Sequence, residues 1–202
     1  VADQVAGAIH FARVVSELEL ANSKLEQLSM HDGLTGIANR RCFDLRLDEE
    51  WHRHVRERRP LALLLVDVDH FKALNDASGH LYGDECLREL ARLCSGMVRD
   101  GQDLVARYGG EELAVLLPHC ELADATRIAE HLRAQVQKQA MPHPDSRVAR
   151  EVTVSIGVSA VLPDEGSTAE ALISTADRAL YAAKAQGRNR VIAHAVVRDR
   201  ID

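Results

Sequence analysis

The run LALLLVDVD at residues 61–69 constrains the fold of this chain more than any other stretch. Its first six residues are all apolar, and the run has the length of a single strand. Such a stretch is typical of a central strand that is buried on both faces of a sheet. We therefore predict a strand from Leu61 to Asp69 that is buried as far as its charged end.

The segments around this strand show helical and strand patterns in turn. A helix is predicted from apolar residues at helical intervals in GDECLRELARLCSGM. A hairpin is predicted from the two short runs DLVARY and ELAVLLP, and a strand from the β-branched residues of EVTVSIGVSAVL. Further helices are predicted from the Asn39 cap to about Arg58, over residues 122–138, and from a capping box at Ser167. NRVIAHAVV supplies a final strand. This order predicts an α+β fold, in which helices pack against a largely antiparallel sheet.

The N-terminal segment has a different periodicity. Its apolar residues Val14, Leu18, Ala21, Leu25 and Leu28 recur at intervals of four and three, which predicts a coiled-coil-like helix that pairs with another helix. An amphipathic helix folded back on its own domain is the alternative. The turn-rich DGLTGIANRR follows, so we divide the chain into a signalling and dimerisation helix at 1–30 and a domain at 31–202. Because the chain opens on Val1, we expect a piece of a longer protein.

The composition limits the classes of partner. The chain has 202 residues, of which 46% are hydrophobic and 28% charged, and its formal charge is −6. Such a surface offers no overall basic footprint for nucleic acid or anionic lipid, so any polyanion must meet a local site. Four cysteines without metal-ligand spacing, no apolar run of about 20 residues and no signal peptide favour a cytoplasmic location.

Acidic residues at the end of the predicted central strand suggest a cation site. Asp67 and Asp69 are two residues apart, so their side chains should share one face at roughly 6 to 7 Å. Like charges at the end of a buried strand require a cation, and oxygen ligands favour Mg²⁺ over Zn²⁺.

The hairpin tip RYGGEEL carries two glycines and two carboxylates. We predict a two-residue turn at Gly109 and Gly110, which would permit positive φ and the close approach of a ligand. Only one of Glu111 and Glu112 can face Asp67, and the alternation of side chains does not choose between them. A solvated hairpin tip is the alternative interpretation.

Three further polar clusters occur in HFKALND, GHLYGD and AKAQGRNR. The first two clusters supply Asn75, Asp76 and Asp84, and an Asn and an Asp can together recognise the edge of guanine. Lys184 and Arg188 could bind phosphates or could instead satisfy the last carbonyls of a helix. No P-loop or Rossmann glycine motif is present.

Together these stretches resemble the diguanylate cyclase, or GGDEF, domain family. The resemblance covers residues 32–191 and rests on five motifs in the family's order: DGLTGIANRR, DVDHFKALNDASGHLYGD, RYGGEEL, TVSIGVSA and ADRALYAAKAQGRNRV. It implies a palm-like βααββαβ core of the ferredoxin type and the condensation of two GTP into cyclic di-GMP with release of two pyrophosphates. Leu113 stands where the family often has Phe, an apolar exchange that we expect to matter little.

The resemblance also implies a metal and a set of catalytic residues. Asp67, the backbone carbonyl of Val68 and Glu111 match the ligands of two Mg²⁺ ions per active site, with Mn²⁺ as an alternative. Glu111 further matches the base for the 3′-hydroxyl, and Lys72 is counted with Asp67 and Glu111 as catalytic. Asp69, Arg107 and Glu112 are given supporting roles.

Substrate-binding roles are implied for a larger set. The residues that match guanine, phosphate and turn contacts are His70, Phe71, Lys72, Asn75, His80, Asp84, Gly109, Gly110, Lys184 and Arg188. Asn75 and Asp84 match the guanine contacts, with His80 nearby. Lys72, Lys184, Arg188 and the backbone at His70 and Phe71 match the triphosphate contacts. Gly109 and Gly110 match positions that leave room for the nucleotide.

Since one domain binds one GTP, the implied reaction needs two domains that face each other. We expect a homodimer paired through the N-terminal helix and governed by an upstream sensor domain, without nucleic acid or direct membrane contact in this segment. The alternative is a catalytically silent module that binds GTP or cyclic di-GMP.

Many relatives carry an inhibitory product site, Arg-x-x-Asp, shortly before the signature. The matching positions here are Asp100 and Asp103, with Arg99 one residue away. Because an acid in place of the arginine would repel a phosphodiester, we expect this site to be absent.

Overall fold

The computed structural model describes residue 15 and residues 30–196. By its internal contacts the chain divides between His31 and Asp32, and the unit Asp32–Asp202 carries the fold. The heptad pattern predicted from Val14 to Leu28 lies outside the described residues, so the dimerisation helix stays a prediction. Among the described residues, no helix is long and apolar enough to cross a membrane.

The described part of this unit contains five helices and six strands. The helices are α1 (Arg40–Glu57), α2 (Phe71–Ser78), α3 (His80–Ser95), α4 (Leu122–Lys138) and α5 (Ala169–Ala185). The strands are β1 (Ala38–Asn39), β2 (Leu61–Val68), β3 (Leu104–Gly109), β4 (Glu112–Pro118), β5 (Val154–Val161) and β6 (Val191–Ala195). From β2 to β5 the order is βααββαβ, which confirms the predicted core.

The strands form one sheet in the order β1-β3-β4-β2-β5-β6. The central strand β2 pairs antiparallel with β4 and with β5, and β3 pairs antiparallel with β4. Only the outer pairs, β1 with β3 and β5 with β6, are parallel. The prediction of a largely antiparallel sheet is therefore confirmed.

Helices cover both faces of the sheet, as the apolar run at β2 predicts. Ala62, Leu64 and Val66 of β2 belong to the core cluster that contains residues of α3 and α4. Leu63 and Leu65 belong to the second cluster, which contains residues of α1 and α5. The prediction fails at the charged end, because Asp67 and Asp69 are buried as well.

Helix caps follow the predicted chemistry, with one shift. The Asn39 side chain accepts a hydrogen bond from the Cys42 N–H and caps α1, as predicted. Helix α5 is capped by Thr168, which accepts from the Ala171 N–H, and not by Ser167. The Ser167 hydroxyl instead bonds the Asp164 backbone, which closes the turn before the helix.

Gly157 of β5 sets how closely α5 lies against the sheet. A Cβ at this position would stand 2.1 Å from the carbonyl oxygen of Ala176 and 2.3 Å from the backbone N of Leu180. These are backbone atoms of α5, so they cannot move aside as a flexible side chain can. The missing side chain lets the helix pack on β5, and the same helix carries Lys184 one turn later.

Gly157→Ala is expected to lower the free energy of unfolding by about 1 to 3 kcal/mol or more, because the added methyl group must displace helix backbone. Urea denaturation followed by far-UV circular dichroism measures this change. Gly33→Ala is the matched control, since a Cβ there meets nothing within 4 Å. Equal stability of the two variants would contradict the close-packing argument.

Candidate active site

The end of β2 holds a buried ion pair. The Lys184 ammonium lies 2.8 Å from Oδ2 of Asp67, whose side chain is only 8% exposed. Burial raises the pKa of Asp67 to about 6, although the hydrogen bond and charge of Lys184 oppose the rise. The charges of Glu111 and Glu112 add to it. The surroundings of this carboxylate therefore disfavour its charged form unless more positive charge is supplied.

The hairpin places both glutamates near Asp67 in different ways. Glu112 is the Cα partner of Asp67 in the antiparallel pairing of β2 with β4, so the two side chains share one face of the sheet. Glu111 occupies the turn, and its charge also acts on Asp67. The sheet geometry thus brings Glu112 opposite Asp67 without removing Glu111 from the site.

The turn differs by one residue from the predicted one. Gly109 pairs with Glu112, and the register shifts between Arg107 and Gly109, which makes Tyr108 a bulged residue. The two turn residues are therefore Gly110 and Glu111. Of the two glycines only Gly110 has a positive φ, at +25°. The bulge explains the difference, because one extra residue in β3 moves the tip forward.

Arg107 holds this turn in place. Its Nε donates to the Gly110 carbonyl at 2.9 Å, and its Nη1 lies 3.2 Å from both carboxylate oxygens of Asp32. Burial alone would raise the pKa of Asp32, but hydrogen bonds from Thr35 and the charge of Arg107 lower it below its usual value. Sequence reasoning missed Asp32, although DGLTG supplied the signal, since an acid at a tight turn can accept from the next residues and from an arginine.

The spacing of Asp67 and Asp69 predicted one shared cation site, but the Asp69 carboxylate has hydrogen-bond partners of its own. Strand β2 ends at Val68, and the buried Asp69 carboxylate accepts hydrogen bonds from the hydroxyls of Thr153 and Ser155 at 2.7 and 2.6 Å. The Asn189 N–H donates a third at 3.0 Å. Asp69 thus accepts hydrogen bonds within the fold, and the supporting role implied for it in the reaction stays a prediction.

The predicted guanine contacts lie where α2 meets α3. Oδ1 of Asn75 is buried and has no hydrogen-bond partner among the described residues. It points at Gly83, where a Cβ would stand 2.0 Å away, and Asp84 follows in the same helix. His80 is the exposed first residue of α3. A buried, unpaired amide oxygen is suited to accept an N–H from a ligand.

Three of the predicted phosphate contacts, His70, Phe71 and Lys72, lie at the start of α2. His70 precedes Phe71, the first residue of that helix, in the left-handed conformation at φ +56°. Burial lowers the pKa of His70, and the charge of Arg188 lowers it further, so Arg188 faces this turn. Lys72 is exposed on the first turn of α2.

The two C-terminal cations behave differently. Nη1 of Arg188 approaches the Lys184 carbonyl at 3.5 Å, in line with the alternative in which a cation satisfies helix carbonyls. Lys184 turns away from the helix end and pairs with Asp67. Arg188 thus follows the alternative in which a cation bonds helix carbonyls, and Lys184 does not.

The positions that match the relatives' inhibitory product site include one member of an internal ion pair, Asp103. The Arg99 guanidinium bonds the Asp103 carboxylate at 2.6 and 3.0 Å and the Pro118 carbonyl at 2.6 Å. The Asp103 side chain is 2% exposed, and Asp100 is exposed. Arg99 is therefore engaged within the chain.

The donor set predicted at the end of β2 consists of oxygen atoms, the kind of ligand that a hard divalent cation prefers. No group of three His, Cys, Asp or Glu side chains able to hold a metal occurs among the described residues. The predicted set needs only two carboxylates, of Asp67 and Glu111, because its third ligand is the Val68 carbonyl. Burial and the charges of the two glutamates raise the pKa of Asp67, so added positive charge would favour its ionised form.

Comparisons with known proteins point to one family. The model of the family described as diguanylate cyclase, GGDEF domain, matches residues 29–190. Response regulator PleD of Caulobacter vibrioides is 46% identical over 169 residues, which are 84% of this chain and 37% of PleD. Diguanylate cyclase VdcA of Vibrio cholerae is 38% identical over 179 residues, which are 88% of this chain and 51% of VdcA. The chain spans between 37% and 51% of the length of these curated relatives.

The fold agrees with a solved structure. The GGDEF domain of DgcB from Caulobacter crescentus, in complex with c-di-GMP, has a TM-score of 0.74 and 34% identity to this chain. The match covers 82% of this chain and 95% of the DgcB domain.

Asp67→Asn is expected to raise the free energy of unfolding at pH 7 without divalent cations, by up to about 3 kcal/mol. The folded protein holds the Asp67 proton more tightly than the unfolded chain, so this group gives wild type more stability as pH falls from about 6 towards 4. The Asn variant lacks that gain. Urea denaturation in EDTA at pH 7 and pH 5 measures both effects.

The exposed Asp44 on α1 supplies the control variant Asp44→Asn, whose stability should differ little from that of wild type. Added Mg²⁺ should raise the melting temperature of wild type and of the control, and leave Asp67→Asn unchanged. A less stable Asn variant at pH 7 would mean that the Lys184 pair outweighs burial and repulsion.

Proposed function

This chain belongs to the GGDEF diguanylate cyclase domain family, and on that premise we propose that it condenses two GTP into cyclic di-GMP and two pyrophosphates. One observation carries the proposal. A buried Asp67, flanked by two glutamates and one lysine, lies at the end of the central strand. A buried carboxylate in such an unfavourable setting does not stabilise the fold, so it is more typical of a functional site.

The metal ligands in this proposal are the Asp67 carboxylate, the Val68 carbonyl and the Glu111 carboxylate, and the metal is Mg²⁺, two ions per active site, or Mn²⁺. When bound, the metal lowers the pKa of the attacking 3′-hydroxyl and neutralises charge on the phosphates. The preference for a hard cation follows from the oxygen donors.

The chain's own residues bind and orient GTP. The unpaired amide oxygen of Asn75 accepts a guanine N–H, and Asp84 accepts from the same base edge, with His80 beside it. Lys72 and Arg188 face the triphosphate, and the backbone N–H groups after His70 donate to it at the start of α2. Lys184 opposes the rise in the pKa of Asp67 and adds a cation near the phosphates.

Each condensation forms one bond and breaks one. The 3′-oxygen of one GTP bonds to the α-phosphorus of the other, and the bond from that phosphorus to the β-bridging oxygen breaks. The pyrophosphate leaves with the electron pair, and Glu111 accepts the hydroxyl proton. Gly109 and Gly110 leave room for the nucleotide beside the turn that Arg107 holds.

The reaction requires two copies of the chain. We infer a homodimer paired through the N-terminal segment, in a larger cytoplasmic protein whose upstream domain sets the relative orientation of the copies. The length of the curated relatives beyond the matched region supports a larger protein. The internal pairing of Arg99 with Asp103 supports the absence of the usual inhibitory product site.

Purified protein incubated with GTP and Mg²⁺ is expected to yield cyclic di-GMP, identified by mass spectrometry. Glu111→Gln and Asp67→Asn should each lower kcat by about a hundredfold or more, because they remove a proton acceptor and a metal ligand. Glu165→Gln, on an exposed loop, is the matched control. Binding of GTP without any product from wild type would favour the catalytically silent module instead.

Added cyclic di-GMP is expected to leave the initial rate unchanged within about twofold at micromolar concentration, because Asp100 stands where an arginine would bind the phosphodiester and Arg99 is held by Asp103. Initial rates measured over a product titration test this. Asp100→Arg tests the converse and should increase sensitivity to product. Strong inhibition of wild type would show that a different product site exists.

A further inference from the structure

A buried histidine contacts the turn that precedes α2. His143 is fully buried, and its Nε2 lies 3.3 Å from the backbone carbonyl oxygen of His70. Because a carbonyl oxygen only accepts hydrogen bonds, this contact assigns a proton to Nε2 of the ring. His143 lies between α4 and β5, 73 residues from His70 along the chain, and none of the five family motifs contains it.

The segment that carries His143 is held on both sides of the ring. The His143 N–H donates to the Arg150 carbonyl at 2.8 Å, and Pro142 pairs with Glu151 in an antiparallel bridge. The Tyr82 hydroxyl of α3 donates to the Pro142 carbonyl at 3.0 Å. The position of the imidazole is therefore set by its own segment, so the ring can fix the group that it contacts.

The contact fixes the peptide unit that joins His70 to α2. The His70 carbonyl and the Phe71 N–H belong to one planar trans peptide, in which the two bonds point in opposite directions. The carbonyl accepts from the Leu74 N–H at 3.0 Å as well as from His143. The Phe71 N–H is thereby directed to the opposite side, and as the first residue of α2 it has no acceptor within the helix.

This turn has a backbone conformation that needs support. His70 has φ +56° and ψ +32°, in the left-handed region that residues other than glycine rarely adopt. Such conformations persist where the surrounding structure holds them. A donor from outside the helix helps to hold this one.

The imidazole is not retained for stability alone. Its Nδ1 is buried and has no hydrogen-bond partner among the described residues. A buried polar atom without a partner lowers stability, and an apolar side chain of the same size would avoid that cost. The value of the ring therefore lies in the contact that Nε2 makes with the turn before α2.

We propose that His143 is a positioning residue for the triphosphate of GTP, and that it acts through the His70 carbonyl to direct the Phe71 N–H towards a phosphate oxygen. The inference rests on the GTP binding of the proposed function and deepens it. The guanine contacts proposed at Asn75 and Asp84 do not depend on this peptide. An effect confined to the phosphates thus separates the positioning role from a general role in folding.

The test compares a ligand that has phosphates with one that lacks them. His143→Phe is expected to raise the Kd of an α,β-methylene analogue of GTP with Mg²⁺ about tenfold, because the Phe71 N–H loses its fixed direction. The Kd of guanosine should stay within about twofold of wild type, and KM for GTP should rise with kcat within about threefold. His143→Gln should restore most of the affinity, since its amide can donate to the same carbonyl. Isothermal titration calorimetry measures both Kd values.

Tyr82→Phe is the matched control, because it removes a different hydrogen bond to the same segment and leaves the ring of His143 in place. Its Kd values for both ligands should stay within about twofold of wild type. An equal loss of analogue affinity in Tyr82→Phe, or a loss of both ligands in His143→Phe, would mean that the segment supports the whole site and would overturn the proposal. Unchanged analogue affinity in His143→Phe would overturn it as well.

Wild type offers a test that does not depend on a folded variant. Long-range ¹H–¹⁵N spectra of the imidazole rings should show His143 with a proton on Nε2, and a proton on Nδ1 alone would contradict the proposal. Analogue binding without cyclic di-GMP formation would refute the proposed reaction, and the Kd comparison would still decide this inference. A wild type that binds no GTP analogue would refute both.

Discussion

The arrangement of the site depends on the buried carboxylate of Asp69. Its oxygens accept from Thr153, Ser155 and the Asn189 N–H, and its own N–H donates to the Thr153 carbonyl. An ionised carboxylate without such partners is expensive to bury, so these bonds fix the end of β2 against β5 and against the segment between α5 and β6. Lys184 lies just before that segment and Arg188 lies within it, so this connection helps to position both cations.

Asp69 has hydrogen-bond donors that stabilise its buried carboxylate, whereas most neighbours of Asp67 destabilise its charged form. It has one cation, Lys184, against burial and two carboxylates, and its pKa rises to about 6 as a result. The fold holds this unfavourable charge in place because the registers of β2 with β4 and β5 are fixed along the whole strand. A divalent cation would relieve the repulsion, so binding energy for a metal is available before any substrate arrives.

Local patterns were sufficient to predict most of the fold. The apolar run predicted β2, the Asn39 cap predicted the start of α1, and the glycine pair predicted the hairpin. The errors lie where distant residues decide. Asp69 finds its hydroxyl partners 84 and 86 residues away and Arg107 finds Asp32 75 residues away, and no spacing rule encodes such contacts.

The candidate site shows the same limit. Family motifs supplied its residues, and Asp67, Glu111, Asn75 and Asp84 lie in two neighbouring groups at the end of β2 and the α2–α3 contact. The motifs could not supply the direct pairing of Lys184 with Asp67, since Lys184 was expected at phosphates or helix carbonyls. The bulge at Tyr108, which moves Glu111 into the turn, depends on pairing between strands and not on the glycines alone.

Under the proposed function, the need for one nucleotide from each of two copies determines what can limit the reaction. Each copy would hold its nucleotide at the end of β2 with ligands whose positions strand pairing fixes, so small side-chain movements could not bring a second hydroxyl to the phosphorus. That approach would require a second copy, at a distance and angle set by whatever joins the two. Under the proposed function, a rotation between copies is therefore enough to switch the rate without changing how tightly either copy binds GTP.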